Sequence, residues 1–309
     1  MPHLSYGDVK AAADRIAGHL RPVPVAEAGP HRWLALELLQ HTGSFKARGA
    51  RNFVQAQQEA GALPEAGVTI ASGGNAGLAC AWAARESGVR ATVFLPANAP
   101  AVKVARLRGY GAEVRLTGSE YAEALAACEE FAAASGALAS HAYDHPLIAA
   151  GAGTLVDEIR RQLPELDTVV VSVGGGGLFA GVATAAREHG IRTVAVEPAN
   201  CRALDAALTA GEPVDVPVDS VAADSLGARR ATPLALAAAR QGDVRTVLVP
   251  DEAIVRARRM LWDDRRLAVE HAAATALAAL TTRAYEPEPG ERVCVVLCGA
   301  NTDPSDLVR

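Results

Sequence analysis

The sequence has few lysines and few aromatic residues, and each shortage excludes something. Among its 30 lysine and arginine residues only three are lysines, at positions 10, 46 and 103. Aromatic residues make up 4% of the chain while 50% of it is hydrophobic, so the core must consist mainly of Ala, Val and Leu. The formal net charge of −5 argues against a nucleic-acid or membrane-surface partner, because both attract basic proteins.

Cysteines are also few, and their arrangement argues against crosslinks. There are five, which is an odd number, and no two have the C-x-x-C spacing of a zinc or redox site. We therefore expect reduced thiols and a cytoplasmic protein. The first residues lack a basic segment followed by an apolar run, so no secretion signal is expected. No apolar stretch approaches the roughly 18 residues that a membrane-spanning helix needs.

Helical and strand patterns alternate along nearly the whole chain. Ser5 and Asp8 predict a capping box that opens a helix reaching about Leu20. Valine-rich runs such as 169–173 and 293–297 are typical of parallel strands covered by helices on both faces. The pattern predicts a doubly wound α/β fold. The less regular, Pro- and Asp-rich segment 202–230 predicts loops over one face.

A run of four glycines at 174–177 lies between a predicted buried strand and a predicted helix. Backbone N–H groups at a helix N-terminus bind phosphate, and the absence of side chains lets the anion approach. A tight turn is the alternative, but it needs fewer glycines. The run does not match G-x-x-x-x-G-K-[ST], and the acidic residue typical of dinucleotide binding is missing. We therefore predict a phosphate site there.

A second strand-to-helix turn has the sequence Ser-Gly-Gly-Asn-Ala-Gly at 72–77. Its backbone amides are suited to binding a carboxylate, and the side chain of Asn75 is suited to donating a hydrogen bond to an anionic oxygen. An ordinary helix N-cap explains the turn equally well, because Ser and Asn both serve in that role.

Lys46 stands in the segment Thr-Gly-Ser-Phe-Lys-Ala-Arg-Gly at 42–49. A lysine in the first turn of a helix is most often a solvated surface residue, yet this chain uses arginine almost wherever it needs a cation. Arginine cannot lose its proton or form a Schiff base, whereas lysine does both. The helix dipole also disfavours a charged lysine at a helix N-terminus. Lys46 is therefore a candidate nucleophilic amine.

Four motifs taken together resemble a known family. Segments 42–49, 72–77 and 174–177, and Cys-Gly-Ala-Asn at 298–301, occur in the order found in pyridoxal-phosphate-dependent serine/threonine dehydratases and serine racemases. The resemblance covers nearly the whole chain. It implies the tryptophan-synthase-β-like fold, which is α/β with two doubly wound open sheets.

The resemblance also implies a division into two domains. A large cofactor-binding domain would comprise residues 1–66 and 144–309. A small inserted domain, residues 67–143, would close over the active site. The chain ends soon after its last motif, so we expect neither the C-terminal regulatory domain of the family's isoleucine-inhibited enzymes nor inhibition by isoleucine.

The resemblance implies a role for each motif. Lys46 would bind pyridoxal 5′-phosphate covalently and act as the base at the substrate Cα, and Phe45 would lie against the pyridine ring. Asn75 would hydrogen-bond the phenolic oxygen of the cofactor, and Cys298 would face its pyridine nitrogen. The phosphate would be bound by Gly174, Gly175, Gly176 and Gly177. The substrate carboxylate would be held by Ser72, Gly73, Gly74, Asn75 and Ala76.

A thiol facing the pyridine nitrogen has a chemical consequence. With an ordinary pKa of about 8.5, the thiol of Cys298 is a weak donor and cannot fix a proton on that nitrogen as a carboxylate would. A neutral ring delocalises carbanion charge less fully, which favours prompt loss of a β-leaving group. The alternative explanation for Cys298 is a small buried apolar residue at a strand end.

Two departures from the family pattern narrow the function. Racemisation needs a second acid/base group opposite the lysine, and serine racemases carry a Ser directly after the position of Ser72. Here that residue is Gly73, which has no proton to give, so racemase activity is disfavoured.

The second departure concerns metals. Part of the family binds a divalent cation through a Glu and a following Asp; Glu197 is present, but Ala203 stands where the Asp is expected and Asp205 is offset. His141 and His145 have a metal-like spacing without an evident third ligand. We therefore predict no metal site.

The sequence predicts a pyridoxal-phosphate-dependent dehydratase that converts a β-hydroxy amino acid, L-threonine or L-serine, to a 2-oxo acid and ammonia. Its partner would be that small molecule, and the family suggests a homodimer. One alternative is a pyridoxal-phosphate-dependent racemase or other β-eliminating lyase. A more distant one is a non-catalytic module that binds a phosphate ligand, which the glycine runs alone would allow.

Overall fold

A computed structural model describes residues 3–308 of the protein. In this part of the chain the β-strands are β1 (Val25–Gly29), β2 (Arg32–Ala35), β3 (Val68–Ala71), β4 (Ala91–Leu95), β5 (Glu113–Leu116), β6 (Leu138–Ala139), β7 (Thr168–Ser172), β8 (Arg192–Pro198), β9 (Val244–Val249) and β10 (Val293–Val296). The α-helices are α1 (Tyr6–Ile16), α2 (Lys46–Glu59), α3 (Asn75–Glu86), α4 (Ala101–Gly109), α5 (Tyr121–Ser135), α6 (Pro146–Gln162), α7 (Gly177–Glu188), α8 (Ala203–Ala210), α9 (Ala223–Leu226), α10 (Pro233–Ala239), α11 (Asp251–Arg265) and α12 (His271–Thr281). Two 3₁₀ turns, Glu37–Leu39 and His41–Gly43, precede α2.

The strands form two separate sheets. Six of them are ordered β1-β2-β10-β7-β8-β9, and every neighbouring pair is parallel except β1 with β2. The other four are ordered β5-β4-β3-β6 and are all parallel. Every residue of β3, β4, β7 and β10 is buried, as expected for parallel strands covered on both faces. The predicted fold class is therefore confirmed.

Each sheet has its own apolar cluster. The cluster of the six-stranded sheet includes Phe179 and Val295, and that of the four-stranded sheet includes Trp82 and Leu107. Helix α2 precedes residue 67, yet it contributes Phe53 to the cluster of the smaller sheet. The domain boundaries at 67 and 143 stay a prediction.

Local capping patterns predict some helix starts and miss others. Helix α1 begins after the expected capping box of Ser5 and Asp8, although it ends at Ile16 rather than near Leu20. Segment 202–230, predicted as loops, contains α8 and α9. That prediction is wrong because α8 takes its cap from another element. The carboxylate of Glu197, on β8, accepts hydrogen bonds from two N-terminal amides of α8.

Small residues let α2, α6 and α7 approach one another closely. A Cβ on Gly181 would lie 2.1 Å from the carbonyl oxygen of Ala149, and one on Gly49 would lie 2.6 Å from that of Ile148. Larger residues at these positions would force the helices apart. These two glycines therefore allow the close spacing of α6 with the helices that begin at Lys46 and Gly177.

The cysteines are all buried free thiols. Among residues 3–308, no helix combines the length and the apolar character that crossing a membrane would require.

A buried ion-pair cluster holds α2 in place. The side chains of Arg48 and Glu37 are both fully buried, and their charged atoms lie 2.7 Å apart. Arg48 also pairs with Glu158 at 2.6 Å and donates to the hydroxyl of Thr154 at 3.0 Å. Because Arg48 is two residues after Lys46, this cluster ties the start of α2 to α6.

We expect Arg48→Met to destabilise the protein, because it would leave the carboxylate of Glu37 buried without its partner. A loss of this kind costs about 3–5 kcal/mol, measurable as the change in the free energy of unfolding in urea. Arg85→Met, which breaks an exposed pair with Glu86, is the matched control and should change stability by no more than about 0.5 kcal/mol. Equal effects of the two substitutions would contradict the prediction.

Candidate active site

The turn before Lys46 has a strained backbone. Thr42 has a φ of 62° and Gly43 a φ of 77°. A positive φ is rare for a β-branched residue and costs on the order of 1–3 kcal/mol, so it persists only where the surroundings enforce it. Two consecutive residues are therefore in the left-handed region, and α2 begins three residues after Gly43, at Lys46.

This turn is joined to the end of the central strand β10. Ser44 and Gly299 form an antiparallel bridge, and the N–H of Phe45 donates to the carbonyl of Cys298 at 3.0 Å. The first and last of the four sequence motifs are therefore neighbours in space, although more than 250 residues separate them.

The amine of Lys46 is held among apolar and carbonyl groups. Its Nζ donates to the carbonyl of Ala142 at 2.7 Å and lies 4.9 Å from the ring centre of Phe45. The ring centre of Tyr143 is 6.0 Å away. Burial lowers the pKa of Lys46 to about 8. Near neutral pH, a larger fraction of this amine is therefore unprotonated and nucleophilic than of an ordinary lysine.

The glycine run forms a cradle at the end of β7. Gly176 has a φ of 98°, α7 begins at Gly177, and no side chain caps this helix start. A Cβ on Gly175 would lie 2.3 Å from the ring of Tyr143, so only glycine fits there without displacing that ring. Uncapped amides at the positive end of a helix suit a phosphate group.

Residues 142 and 143 bring the cradle and the lysine together. Ala142 accepts the hydrogen bond from Lys46, while Tyr143 packs against Gly175 and Gly177. The glycine run predicted to bind phosphate and the amine of Lys46 therefore both contact the short segment 142–143.

Cys298 is buried near the end of β7. Its Sγ lies 3.7 Å from the hydroxyl of Ser172, and its side chain is almost fully enclosed. Burial raises the pKa of Cys298 to about 12, so the thiol stays protonated throughout the physiological range. It can act only as a neutral, weak hydrogen-bonding group.

The turn at 72–77 ends in another uncapped helix. Helix α3 begins at Asn75, and its N-cap residue, Gly74, supplies no side chain. The hydroxyl of Ser72 accepts a long hydrogen bond of 3.4 Å from the N–H of Gly74. Gly73, Gly74, Asn75 and Ala76 are all partly exposed, so the amides of this turn are suited to an anion such as a carboxylate.

The side chain of Asn75 is engaged by protein groups. Its Nδ2 donates to both carboxylate oxygens of Glu270, at 2.9 and 3.0 Å, and its Oδ1 accepts from Asn301 at 2.6 Å. The role predicted for Asn75, donation to a cofactor oxygen, would require this amide to turn away from Glu270. That role stays a prediction.

Glu270 is a site residue that the sequence reasoning missed. It is 1% exposed, and it also accepts from the N–H of Asn301 at 2.7 Å and the hydroxyl of Ser225 at 2.9 Å. Burial raises its pKa. A Cβ on Gly299 would lie 2.8 Å from its Oε1. The only sequence signal was a lone acidic residue between an apolar segment and an Ala-rich helix.

The groups considered as metal ligands have protein partners. Both oxygens of Glu197 cap α8, as described above. The Nδ1 of His141 accepts from the N–H of Asp144 at 2.8 Å, and the Nδ1 of His145 accepts from the N–H of Leu147 at 3.1 Å. Between residues 3 and 308, no group of three or more His, Cys, Asp or Glu side chains is placed to hold a metal ion.

Comparisons with known proteins show which family the chain resembles in sequence and fold. The family described as pyridoxal-phosphate dependent enzyme matches residues 17–299. The L-threonine ammonia-lyase of Geobacter sulfurreducens is 38% identical over 97% of this chain and 76% of that protein. The mouse protein named serine dehydratase-like is 37% identical over 91% of this chain and 88% of its own length. The solved structure of maize serine racemase has a TM-score of 0.90 at 29% identity, covering 99% of this chain and 96% of that one.

The lowered pKa of Lys46 predicts how its reactivity depends on pH. Only the unprotonated amine reacts with trinitrobenzenesulfonate, so its labelling rate should rise about tenfold per pH unit up to about pH 8 and then level off. An ordinary lysine keeps gaining rate to about pH 10. The exposed Lys10 and Lys103 serve only to show that the reagent is active in the same sample. Peptide mass spectrometry of the cofactor-free protein resolves the three. A Lys46 labelling rate that keeps rising to about pH 10 would contradict the prediction.

Proposed function

This chain belongs to the family of pyridoxal-phosphate-dependent enzymes, and we propose that it is a dehydratase that converts L-threonine or L-serine to a 2-oxo acid and ammonia. The observation that carries the proposal is the amine of Lys46, with its lowered pKa, beside a glycine cradle suited to a phosphate. The names of the matched relatives support the reaction type.

Pyridoxal 5′-phosphate is the cofactor, and the residues present fit it. The uncapped amides at the start of α7 would bind its phosphate, together with Gly174, Gly175, Gly176 and Gly177. Phe45 would lie against the ring and Cys298 would face the pyridine nitrogen. When bound, the cofactor withdraws electron density from the Cα of the substrate and so weakens its C–H bond.

Lys46 would hold the cofactor and would then take the proton from the substrate Cα. A base works best when its pKa lies near the working pH, and the pKa of about 8 meets this condition. The carbonyl of Ala142 fixes the direction of the amine, because it accepts a hydrogen bond from Nζ at 2.7 Å.

The substrate carboxylate would bind at the start of α3, where the amides of residues 72–76 and the positive end of the helix dipole attract an anion. The carboxylate would then lie just beyond the end of β3, and the base would lie on α2. We propose that segment 67–143 acts as a small domain whose closure over the site excludes water.

Cys298 would face the pyridine nitrogen of the bound cofactor. Because burial raises the pKa of Cys298 to about 12, no thiolate would form there to hold a proton on that nitrogen. The cofactor would then stabilise negative charge at the substrate Cα less, which would favour early departure of the β-hydroxyl, protonated, as water.

Racemisation is the second candidate, because maize serine racemase shares the fold. It would need a proton donor on the face opposite Lys46. A Cβ on Gly73 would lie 2.7 Å from a methyl group of Leu95, so a serine at that position would also require Leu95 to move.

We also propose that the enzyme is a cytoplasmic homodimer. Its buried free thiols suit a reducing compartment. Light scattering of the purified protein should give twice the 31.9 kDa mass of one chain. A mass equal to a single chain would contradict the dimer.

The holoenzyme should release 2-oxobutyrate from L-threonine or pyruvate from L-serine, together with ammonia. Lys46→Ala should abolish the reaction, by at least about a thousandfold in kcat, since it removes the base and the covalent link to the cofactor. It should also remove the visible absorbance of the bound cofactor. The control is Lys10→Ala, which alters an exposed residue and should leave both readouts unchanged.

Oxo-acid release should be assayed across a set of β-hydroxy amino acids, with chiral analysis of the recovered substrate. Absence of any oxo acid from cofactor-loaded protein would reject the dehydratase. Accumulation of the D-amino acid instead would favour the racemase.

A further inference from the structure

Asn301 ends the last of the four motifs, and the proposed function leaves it without a role. Its Nδ2 donates to the carbonyl of Thr42 at 2.7 Å and to the Oδ1 of Asn75 at 2.6 Å. Its backbone N–H donates to Glu270 at 2.7 Å. One side chain therefore connects the turn before the lysine with the start of the helix at the proposed carboxylate site.

The contact with Thr42 falls on the strained residue of that turn. Thr42 is a β-branched residue at a positive φ, and its own hydroxyl, although buried, has no hydrogen-bond partner among the described residues. Asn301 binds the backbone carbonyl of Thr42. The same turn is also held by the N–H of Gly43, which donates to the carbonyl of Gln40 at 3.0 Å, and by the N–H of Ala300, which donates to the carbonyl of Gly43 at 2.9 Å.

Gly43 packs directly against the same side chain. A Cβ on Gly43 would lie 2.9 Å from the Oδ1 of Asn301. The two left-handed residues of the turn thus both contact Asn301, one by a hydrogen bond and one by close packing. A strained conformation persists only when its surroundings over-determine it, and Asn301 supplies a large part of these surroundings.

We propose that Asn301 is a positioning residue for the reaction. It holds the strained turn in the conformation that presents Lys46, and through Asn75 it keeps the amine and the start of α3 in one relative geometry. This inference rests on the proposed function of Lys46. Asn301 acts through its neighbours and touches no reacting atom.

The alternative is that Asn301 has a purely structural role, because its Oδ1 also accepts a hydrogen bond from Arg106 at 2.5 Å. Arg106 is an exposed residue of α4, so this contact links the C-terminal segment to the smaller sheet at the surface. Arg106→Ala removes that link and leaves the two side-chain donor bonds of Asn301 in place. It is therefore the matched control.

The primary variant is Asn301→Leu, which keeps the shape of the side chain and removes its hydrogen bonds. We expect kcat to fall by about 100-fold with little change in KM, because small misplacements of a catalytic group cost on this order. In the cofactor-free protein, the midpoint of Lys46 labelling should rise from about 8 toward the ordinary value of about 10.4, since the amine would lose its buried position. Arg106→Ala should change neither readout.

A second substitution separates positioning from general loss of structure. Glycine adopts a positive φ without strain, so Thr42→Gly removes the need for a residue that holds the turn. In the Asn301→Leu background it should restore kcat by at least about tenfold and return the labelling midpoint toward 8. Thr42→Gly alone is the reference for this comparison.

The outcomes separate the two proposals. If the wild-type holoenzyme forms no oxo acid, the proposed function fails, while the labelling midpoints still decide whether Asn301 positions Lys46. If Asn301→Leu keeps the wild-type kcat and midpoint, the inference is overturned. Loss of kcat without recovery by Thr42→Gly also overturns it. Should Asn301→Leu not fold, as judged by circular dichroism, Asn301→Ser is assessed by the same criteria.

Discussion

The turn that precedes Lys46 is joined to the end of β10, and the rest of the site depends on this junction. Phe45 donates to the carbonyl of Cys298 at 3.0 Å, and Ala300 donates to that of Gly43 at 2.9 Å. Because β10 lies inside the six-stranded sheet, between β2 and β7, the turn is attached to one of the most buried parts of the molecule. The position of Lys46 is therefore set by the sheet as well as by its own helix.

Burial of this junction shifts the protonation of its groups in a consistent way. It lowers the pKa of Lys46 to about 8, raises that of Cys298 to about 12 and raises that of Glu270. In each case the uncharged form is favoured, because a charge in a poorly solvated site is costly. An uncharged amine suits the two roles proposed for Lys46, and an uncharged thiol suits the role proposed for Cys298.

Much of the fold and part of the site could be predicted from local sequence features. Alternating helical and valine-rich segments predicted the α/β class, which the two sheets confirm. The shortage of lysine singled out Lys46 as a candidate. Its amine contacts segment 142–143, which packs on Gly175 and Gly177. Glu270 was missed because a single acidic residue carries no periodicity. The helix capped by Glu197 was missed because its cap comes from a preceding strand.

The sequence by itself determined most of the elements, the order of the motifs and the chemistry available to them, because propensity, periodicity and residue type act over a few neighbouring positions. Only the tertiary structure decided how these groups are held. The contact of Asn301 with Thr42 spans 259 residues and that of Asn75 with Glu270 spans 195. Hydrogen bonds between such distant residues leave no local pattern, and one of them falls on Thr42, whose positive φ its β-branched side chain disfavours.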